Sequence, residues 1–419
     1  MNRTGRISGS SLLRDRAFFR VWLAFTLSQV GASLALMALP LLAASSLRAS
    51  PLEMSILAAM QTIPFVIFGP FAGVAADRWR RRLILVVADL MRAAVLVSVP
   101  LAALTGHLTI ELLLAVAFVV GTGNTWFDIC HGSYLPTIVE RRRLLEAHSR
   151  FSLSQSVTDT AGPLIGGGLV QSLGAPLAIL GNALSYLISG LLLAFAPDSE
   201  PTAANLGGRT SVWSDIADGV RFVYRHALLR SLTLRLAAWH FVVGGIQSML
   251  IFHLARNLEM SAGKIGLLFS MTGAGTVLGA TCAQALSRRI GVGPTIVLCN
   301  LLAAFLAGLI PLAGAASVGS LVLIGSTLFG FGFCVITYQI TNASLRQAVT
   351  ENAYMGRMSA ATRVVALGTN ACGAVVAGVV AQTFDARIAI AAFAALGIAF
   401  ALKGATMGQL RAVKSLPIA

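Results

Sequence analysis

The sequence has very little charge for its length. Only 11% of its 419 residues are Asp, Glu, Lys or Arg, whereas 56% are hydrophobic. A water-soluble fold could not cover so much apolar surface with so few charged side chains. The shortage of charge therefore excludes a soluble globular protein and favours a chain that lies in a lipid bilayer.

Also absent are the residue patterns on which enzymes and metalloproteins depend. The chain has no GxxxxGKS/T loop for a nucleotide phosphate, no nucleophile paired with a base and no pair of catalytic acids. Its five cysteines are an odd number, and their spacing matches no metal site. We therefore expect no enzyme activity, no metal and no cofactor.

Long apolar stretches are what the sequence does contain. About 20 apolar residues suffice to cross the hydrocarbon core of a bilayer, and twelve stretches of this kind follow one another along the chain. The pattern predicts an all-α integral membrane protein with 12 transmembrane helices. They lie near residues 17–45, 52–76, 83–105, 110–135, 149–172, 175–197, 231–255, 262–287, 293–314, 318–343, 358–382 and 386–408.

Positive charge is concentrated on one side of these stretches. The net charge is +15, but 26 of the 31 Lys and Arg residues fall in the two tails and in the loops after even-numbered stretches. Because cytoplasmic loops of membrane proteins are enriched in Lys and Arg, we expect both termini in the cytoplasm. Arg outnumbers Lys 28 to 3, which favours a bacterial source and hence a bacterial inner membrane. The basic charge then explains topology, and nucleic acid is not an expected partner.

The apolar stretches fall into two sets of six. We expect a first six-helix bundle over residues 1–197, a cytoplasmic linker over 198–230 and a second bundle over 231–419. Within the linker, an amphipathic helix is predicted because its apolar residues share one helical stripe. These residues are Val212, Ile216, Val220 and Val223.

Glycines recur between the halves at a fixed distance. Gly69 and Gly73 return 206 residues later as Gly275 and Gly279. Repetition at one offset predicts two pseudo-symmetric bundles of the kind that rock against each other in transporters.

A charged loop reading GVAADRWRRR follows the second stretch. Gly73 is expected to end a helix there, and Asp77 to pair with Arg78 and its neighbours in a cytoplasmic gate. In the fourth stretch, Asp128 lies at the depth of Arg81 and needs a partner, so we predict an Asp128–Arg81 pair. In the alternative interpretation, these arginines only set the topology.

Two further carboxylates lie within the apolar stretches and are candidates for proton coupling. Asp89 has Arg92 three residues later on the same helical face, so this pair has a structural interpretation as well. Asp159 lies about 15 Å into the fifth stretch and has no cation within four residues. Desolvation favours its neutral form, which suits reversible protonation. The alternative is a hydrogen-bonded carboxyl that only stabilises packing.

Several segments resemble the major facilitator superfamily. GVAADRWRRR is similar to the signature loop between its helices two and three, although Arg80 stands where glycine is usual. Through ALPLLAASSL, WFDICHGSYLPTIV, GPLIGGGLV and MGRM, essentially the whole chain resembles the macrolide-efflux and enterobactin-exporter branch. The helix-five motif departs from that pattern, with Ser149 and Thr158 where glycines are usual.

This resemblance implies a substrate cavity formed by helices one, four, seven and ten. A few polar and aromatic side chains among aliphatic ones suit a mid-sized amphipathic molecule. The expected lining residues are Gln29, Ser33, Asn124, Trp126, Trp239, His240, Gln247, Tyr338 and Gln339.

The sequence thus predicts a secondary transporter of the major facilitator fold. We expect it to export a drug, macrolide, siderophore or other secondary metabolite by proton antiport and alternating access, powered by the proton motive force. We expect a monomer whose partners are a small-molecule substrate, protons and the lipid bilayer. An importer or lipid transporter of the same fold is the main alternative. A non-transporting sensor or assembly protein is the other, although no stretch is long enough for a sizeable soluble domain.

Overall fold

The computed structural model describes residues 12–196, 221–314, 317–351 and 354–406. Over these ranges the chain is all-helical and contains no strand. Twelve long helices alternate in direction, and we number them α1 to α12. They are Arg16–Ser45, Pro51–Arg78, Arg81–Leu104, Ile110–Ile138, Leu144–Leu173, Ala175–Ala194, Ala227–Phe252, Ala262–Ile290, Val292–Leu309, Val318–Ala348, Met355–Thr383 and Ala386–Thr406.

Eleven of these helices are long and apolar enough to cross a bilayer. The remaining one is α5, which has 30 residues and would be about 45 Å long. It is more polar than the others because Ser, Gln, Thr and Asp residues occupy its first half. The fold class expected from the sequence is confirmed, with α5 as a long helix of lower hydropathy.

Local signals fix where several helices begin and end. Before α2, Ser50 and Glu53 form a reciprocal capping box, which satisfies backbone N–H groups that have no helical acceptor. Thr109 caps α4 in a similar way. The chain reverses between α5 and α6 at Gly174 and between α8 and α9 at Gly291, where φ is +85° and +96°. Glycine adopts such backbone angles without strain.

The helices pack in two sets with matching neighbours. Helix α1 contacts α5 and α6, as α7 contacts α11 and α12, and α3 contacts α4 and α6, as α9 contacts α10 and α12. We call α1–α6 the first bundle and α7–α12 the second. The main contacts between the bundles are α2 with α11 and α5 with α8. The domain boundaries stay a prediction, since residues 197–220, with most of the expected amphipathic helix, lie outside the described residues.

The two bundles meet at one end of the molecule and separate at the other. We call the end where α1 begins and α12 ends the terminal end. Near the opposite end, one apolar cluster joins Leu42 and Leu57 of the first bundle with Leu250 and Leu254 of the second. At the terminal end each bundle has its own apolar cluster, which includes Phe18 in the first and Leu229 in the second. The apolar contact between the bundles is therefore concentrated near the opposite end.

The repeated glycines have unequal roles in the two bundles. A Cβ added to Gly279 on α8 would lie 2.5 Å from the carbonyl oxygen of Phe333 on α10, which is closer than atoms can approach. A Cβ added at Gly73, its counterpart in the repeat, would meet nothing within 4 Å. At this position of the repeat, the glycine therefore allows close helix contact only in the second bundle.

Alanine at these two positions should therefore have opposite effects on stability. Gly73→Ala should leave the protein unchanged or stabilise it by up to about 1 kcal/mol, because Ala is the better helix former. Gly279→Ala should destabilise it by about 1–3 kcal/mol through overpacking against α10. Thermal unfolding of the two purified variants, followed by intrinsic fluorescence, measures the difference. Equal melting temperatures would contradict this account of the α8–α10 contact.

Candidate functional site

A cavity of about 550 Å³ lies between the two bundles. Three of the side chains expected to line it do so, namely Ser33 on α1, Asn124 on α4 and Gln247 on α7. Asp159 of α5 also faces it. Further lining residues that the sequence did not single out are Gln61, Thr62, Phe269, Thr272, Thr276, Phe331 and Asn370.

The lining of this central cavity is mostly apolar. Leu36, Met37, Met54, Leu250 and Phe331 provide much of its wall, and the polar side chains are interspersed among such residues. A few polar groups on an apolar wall are typical of sites for mid-sized organic ligands. The cavity could therefore hold an amphipathic molecule and orient it through amide and hydroxyl groups.

Asp159 is held by amides and not by a cation. Its Oδ1 accepts a hydrogen bond of 2.7 Å from Nε2 of Gln155, whose Oε1 in turn accepts one from Gln29. Within the described ranges, no Lys, Arg or His pairs with Asp159. Gln29 does not line the central cavity, which corrects the expectation. It is connected to Asp159 indirectly, through Gln155.

Asp159 also faces a second opening. A cavity of about 370 Å³ between α5 and α8 is lined by Phe25, Phe151, Ser156 and Ala280, and it shares Asp159 with the central cavity. Asp159 is thus an exposed carboxylate at the junction of two cavities, which is a position where a proton could arrive and leave.

Asp89 and Arg92 form a fully buried ion pair inside the first bundle. Ser189 donates a 2.6 Å hydrogen bond to Asp89 Oδ2. Arg92 donates to Asn124 Oδ1 at 2.6 Å and to Ser28 Oγ at 3.2 Å, and its guanidinium also stacks on two aromatic rings. The pair satisfies its own charges and ties four helices together. This geometry favours the structural interpretation of Asp89 over a coupling role.

The partner predicted for Asp128 is wrong. Asp128 Oδ2 accepts a 3.3 Å hydrogen bond from Arg363 on α11, so the ion pair joins the two bundles. Arg81 instead donates to the backbone carbonyls of Ala76 and Ser133, at 2.7 and 3.3 Å. Arginine is drawn there because the last carbonyls of α2 lack helical donors. Arg363 also lies over the ring of Phe65, 4.3 Å from its centre.

The signature loop begins later than expected. Helix α2 continues through Gly73 and ends at Arg78, so Gly73 does not end it. Arg78 is exposed in the last turn of α2. The side chain of Asp77 lies outside the part of the chain that the structure describes.

Three aromatic side chains do not face the central cavity, contrary to expectation. Trp126 packs against the apolar cluster at the terminal end of the first bundle. Trp239 is buried in the second bundle against Tyr338, with ring centres 5.7 Å apart. Tyr338 is fully buried. Trp239 and Tyr338 turn inward because, on helices that are apolar all round, the largest rings fill the bundle interior.

His240 and Gln339 line a different cavity, of about 390 Å³, on the second bundle near the terminal end. We call it the second-bundle cavity. Arg346 of α10 and Arg363 of α11 also line it. Sequence analysis missed both arginines because they were counted among the charges that set topology. Their positions inside α10 and α11 were the signal that could have revealed them.

Among the described residues, no group of three or more His, Cys, Asp or Glu side chains could hold a metal ion. The chemistry available in the cavities is therefore hydrogen bonding, charge pairing and protonation.

Comparisons with known proteins agree with this geometry. Residues 7–417 match the major facilitator model described as a transmembrane secretion effector. The chain is 26% identical to the multidrug efflux pump Tap of Mycolicibacterium fortuitum, over 88% of this chain and 90% of that protein. It is also 26% identical to the enterobactin exporter EntS of Escherichia coli O1:K1, over 73% of this chain and 71% of EntS.

Solved structures share the fold. A mutant of the nucleoside transporter NupG superposes with a TM-score of 0.78, at 12% identity, covering 93% of this chain and 99% of NupG. At that identity the likeness concerns the arrangement of helices.

Removing one partner of the Asp89–Arg92 pair should be far more harmful than removing both. Arg92→Leu should destabilise the protein by about 3–5 kcal/mol, because it leaves a buried charge without a partner. The double variant Asp89→Leu/Arg92→Leu should recover much of that loss. Thermal unfolding of the single and double variants tests this, and an additive loss in the double variant would contradict it.

Proposed function

Since the chain belongs to the transmembrane secretion effector family of major facilitator transporters, we propose that it exports hydrophobic or amphipathic small molecules in exchange for protons. Family membership makes it a multi-pass membrane transporter and not an enzyme. The names of Tap and EntS, a multidrug pump and a siderophore exporter, support export and a substrate of this class.

One observation carries the proposal of proton exchange. Asp159, which has no cation partner in the described part of the chain, faces both the central cavity and the opening between α5 and α8. Because Asp159 is in no ion pair there, its protonation does not require an ion pair to break. Protonation also changes the charge of the cavity wall that a substrate contacts. A neutral Asp159 admits an apolar surface, whereas a charged Asp159 favours water or a cation.

Alternating access follows from the way the bundles meet. The positive charge on the tails and even-numbered loops supports a cytoplasmic location of the terminal end, and in that orientation the apolar contact between the bundles lies on the outer side, as in an inward-facing state. A substrate would enter the central cavity from the cytoplasm or inner leaflet. Rocking of the bundles about α2–α11 and α5–α8 would then open the apolar cluster at the opposite end.

The proton motive force is large enough for this work. One proton entering the cell releases about 2.3 kcal/mol per 100 mV of membrane potential and about 1.4 kcal/mol per pH unit. Together, about 3.7 kcal/mol sustains a substrate gradient of several hundred-fold, since about 1.4 kcal/mol corresponds to tenfold.

Replacing Asp159 should abolish energised export. We expect an efflux-deficient bacterium that expresses this chain to accumulate less of some amphipathic dye or antibiotic, and a protonophore to remove the effect. Asp159→Asn should raise accumulation to the level of cells without the transporter. Glu111→Gln, which changes an exposed acid at the start of α4, is the matched control and should transport normally.

Export that stays sensitive to the protonophore in Asp159→Asn cells would move proton coupling to another residue. A compound that accumulates more in expressing cells would instead indicate import.

The proposed orientation can be tested with cysteine labelling. The side chain of Asp128, in the half of α4 nearer the terminal end, is 46% exposed, whereas Cys130, two residues later, is fully buried. A membrane-impermeant maleimide should label Asp128→Cys in inside-out vesicles and not in intact spheroplasts. The native protein should show no reaction at Cys130 in either preparation. Labelling of Asp128→Cys in spheroplasts alone would reverse the orientation.

A further inference from the structure

Arg346 is a cation near the terminal end of α10 that has unused hydrogen-bond donors. Its Nε and Nη1 atoms are buried and have no acceptor among the described residues. Burying donors of a charged group without acceptors is costly. In the first bundle, by contrast, the donors of the buried Arg92 are satisfied, because it has an acid, an amide and a hydroxyl as acceptors. Arg346 therefore has capacity for an acceptor that the described residues do not provide.

The surroundings of Arg346 are suited to a negatively charged group. It lines the second-bundle cavity of about 390 Å³ together with His240, Gln339, Asn342 and Arg363, and no Asp or Glu is among the lining residues. Two guanidinium groups and three amides, the third being Gln347, create a positive, hydrogen-bonding environment around one cavity. Planar guanidinium groups bind carboxylates and phosphates through paired hydrogen bonds.

Asn342 adds a second unsatisfied group beside Arg346. Its Nδ2 donates to the hydroxyl of the buried Tyr338 at 3.3 Å, which fixes the orientation of the amide. Its Oδ1 has no partner among the described residues and can accept from a protonated group or a water that accompanies an anion. The hydrogen bond to Tyr338 thus fixes this part of the cavity wall.

The second-bundle cavity lies next to the central cavity. His240 and Ala366 line the second-bundle cavity. One helical turn away from them, Gly244 on α7 and Asn370 on α11 line the central cavity. An amphipathic molecule could therefore place its apolar part in the central cavity and a charged end against Arg346.

We propose that the second-bundle cavity binds the anionic group, a carboxylate or phosphate, of an amphipathic molecule, with Arg346 as its principal donor. This proposal rests on the proposed export function and specifies its substrate class. Arg363 supplies the second cation. Because Arg363 also pairs with Asp128 across the bundles, an anion that engages Arg363 competes with Asp128 and loosens that contact. Anion binding in the second-bundle cavity would therefore weaken one contact between the bundles and favour a change in their relative position.

The test compares molecules that share an apolar body and differ in charge. The full chain in phosphatidylcholine nanodiscs is titrated at pH 7.5 with radiolabelled 2-naphthoate, neutral 2-naphthylmethanol and cationic 2-naphthylmethylammonium. Empty nanodiscs correct for partition into lipid. We expect 2-naphthoate to bind about tenfold or more tightly than the alcohol, because a charge-assisted hydrogen bond contributes about that factor.

Variants assign this preference to Arg346. Arg346→Gln should weaken naphthoate binding about tenfold and leave the alcohol unchanged, whereas Arg346→Lys should keep part of the preference. Arg235→Gln is the matched control, since Arg235 is a partly buried arginine of the same bundle that lines a different cavity and donates to the backbone of Gly404. It should retain the preference for naphthoate.

A second arm distinguishes the sources of the anion. Nanodiscs containing 30% phosphatidylglycerol, which carries an anionic headgroup, should leave naphthoate binding intact if the site selects cargo. Competition by this lipid in the native chain, but not in Arg346→Gln, would also support the anion site and would assign its occupant to the lipid phosphate.

Two results would overturn the anion site: equal affinity for naphthoate and the alcohol, or a naphthoate preference that Arg346→Gln leaves unchanged. If either occurs while Asp159-dependent export persists, only the anion site fails. If the preference depends on Arg346 while no compound is exported, the export function fails and the anion site stands.

Discussion

The absence of water in the bilayer core is the constraint on which the rest of this structure depends. Each backbone polar group must be satisfied within the chain, so the protein is built from helices. Polar side chains face the same demand and are drawn toward other helices or toward cavities. The polar side of α5 and the buried pair Asp89–Arg92 both follow from it. Polar and charged side chains are thereby concentrated inside the bundles and in the cavities.

The protein meets this demand in two different ways. Asp89 and Arg92 are buried in a network with Ser28, Asn124 and Ser189 that satisfies both charges, and such a network holds its helices in one arrangement. Asp159 has only an amide partner and stays open to cavities that water, protons or a ligand can enter. Complete networks therefore give rigidity, whereas incompletely satisfied groups beside a cavity are the ones able to change partner during transport.

Sequence reasoning succeeded where the determining interactions are local. Apolar length gave the helices, and the spacing of Asp89 and Arg92 gave their ion pair, because both are properties of one helix. It failed for Asp128, whose partner Arg363 is 235 residues away in the other bundle. It also misplaced Tyr338, since a helix that is apolar all round carries no periodicity to show which side meets the cavity. Contacts between helices depend on packing, which the sequence of a single helix does not contain.

The contacts that hold the two bundles together differ in strength between the two ends of the molecule. The opposite end is sealed by an extended apolar cluster, whereas at the terminal end the described charged contact between bundles is the half-exposed pair Asp128–Arg363. Exposed ion pairs contribute only about 0–1 kcal/mol. A ligand can shift a conformational equilibrium only by its difference in affinity for the two states. A ligand in the central cavity contacts both bundles, so a difference of about 1–3 kcal/mol in its affinity for two arrangements of the bundles would shift the balance between them.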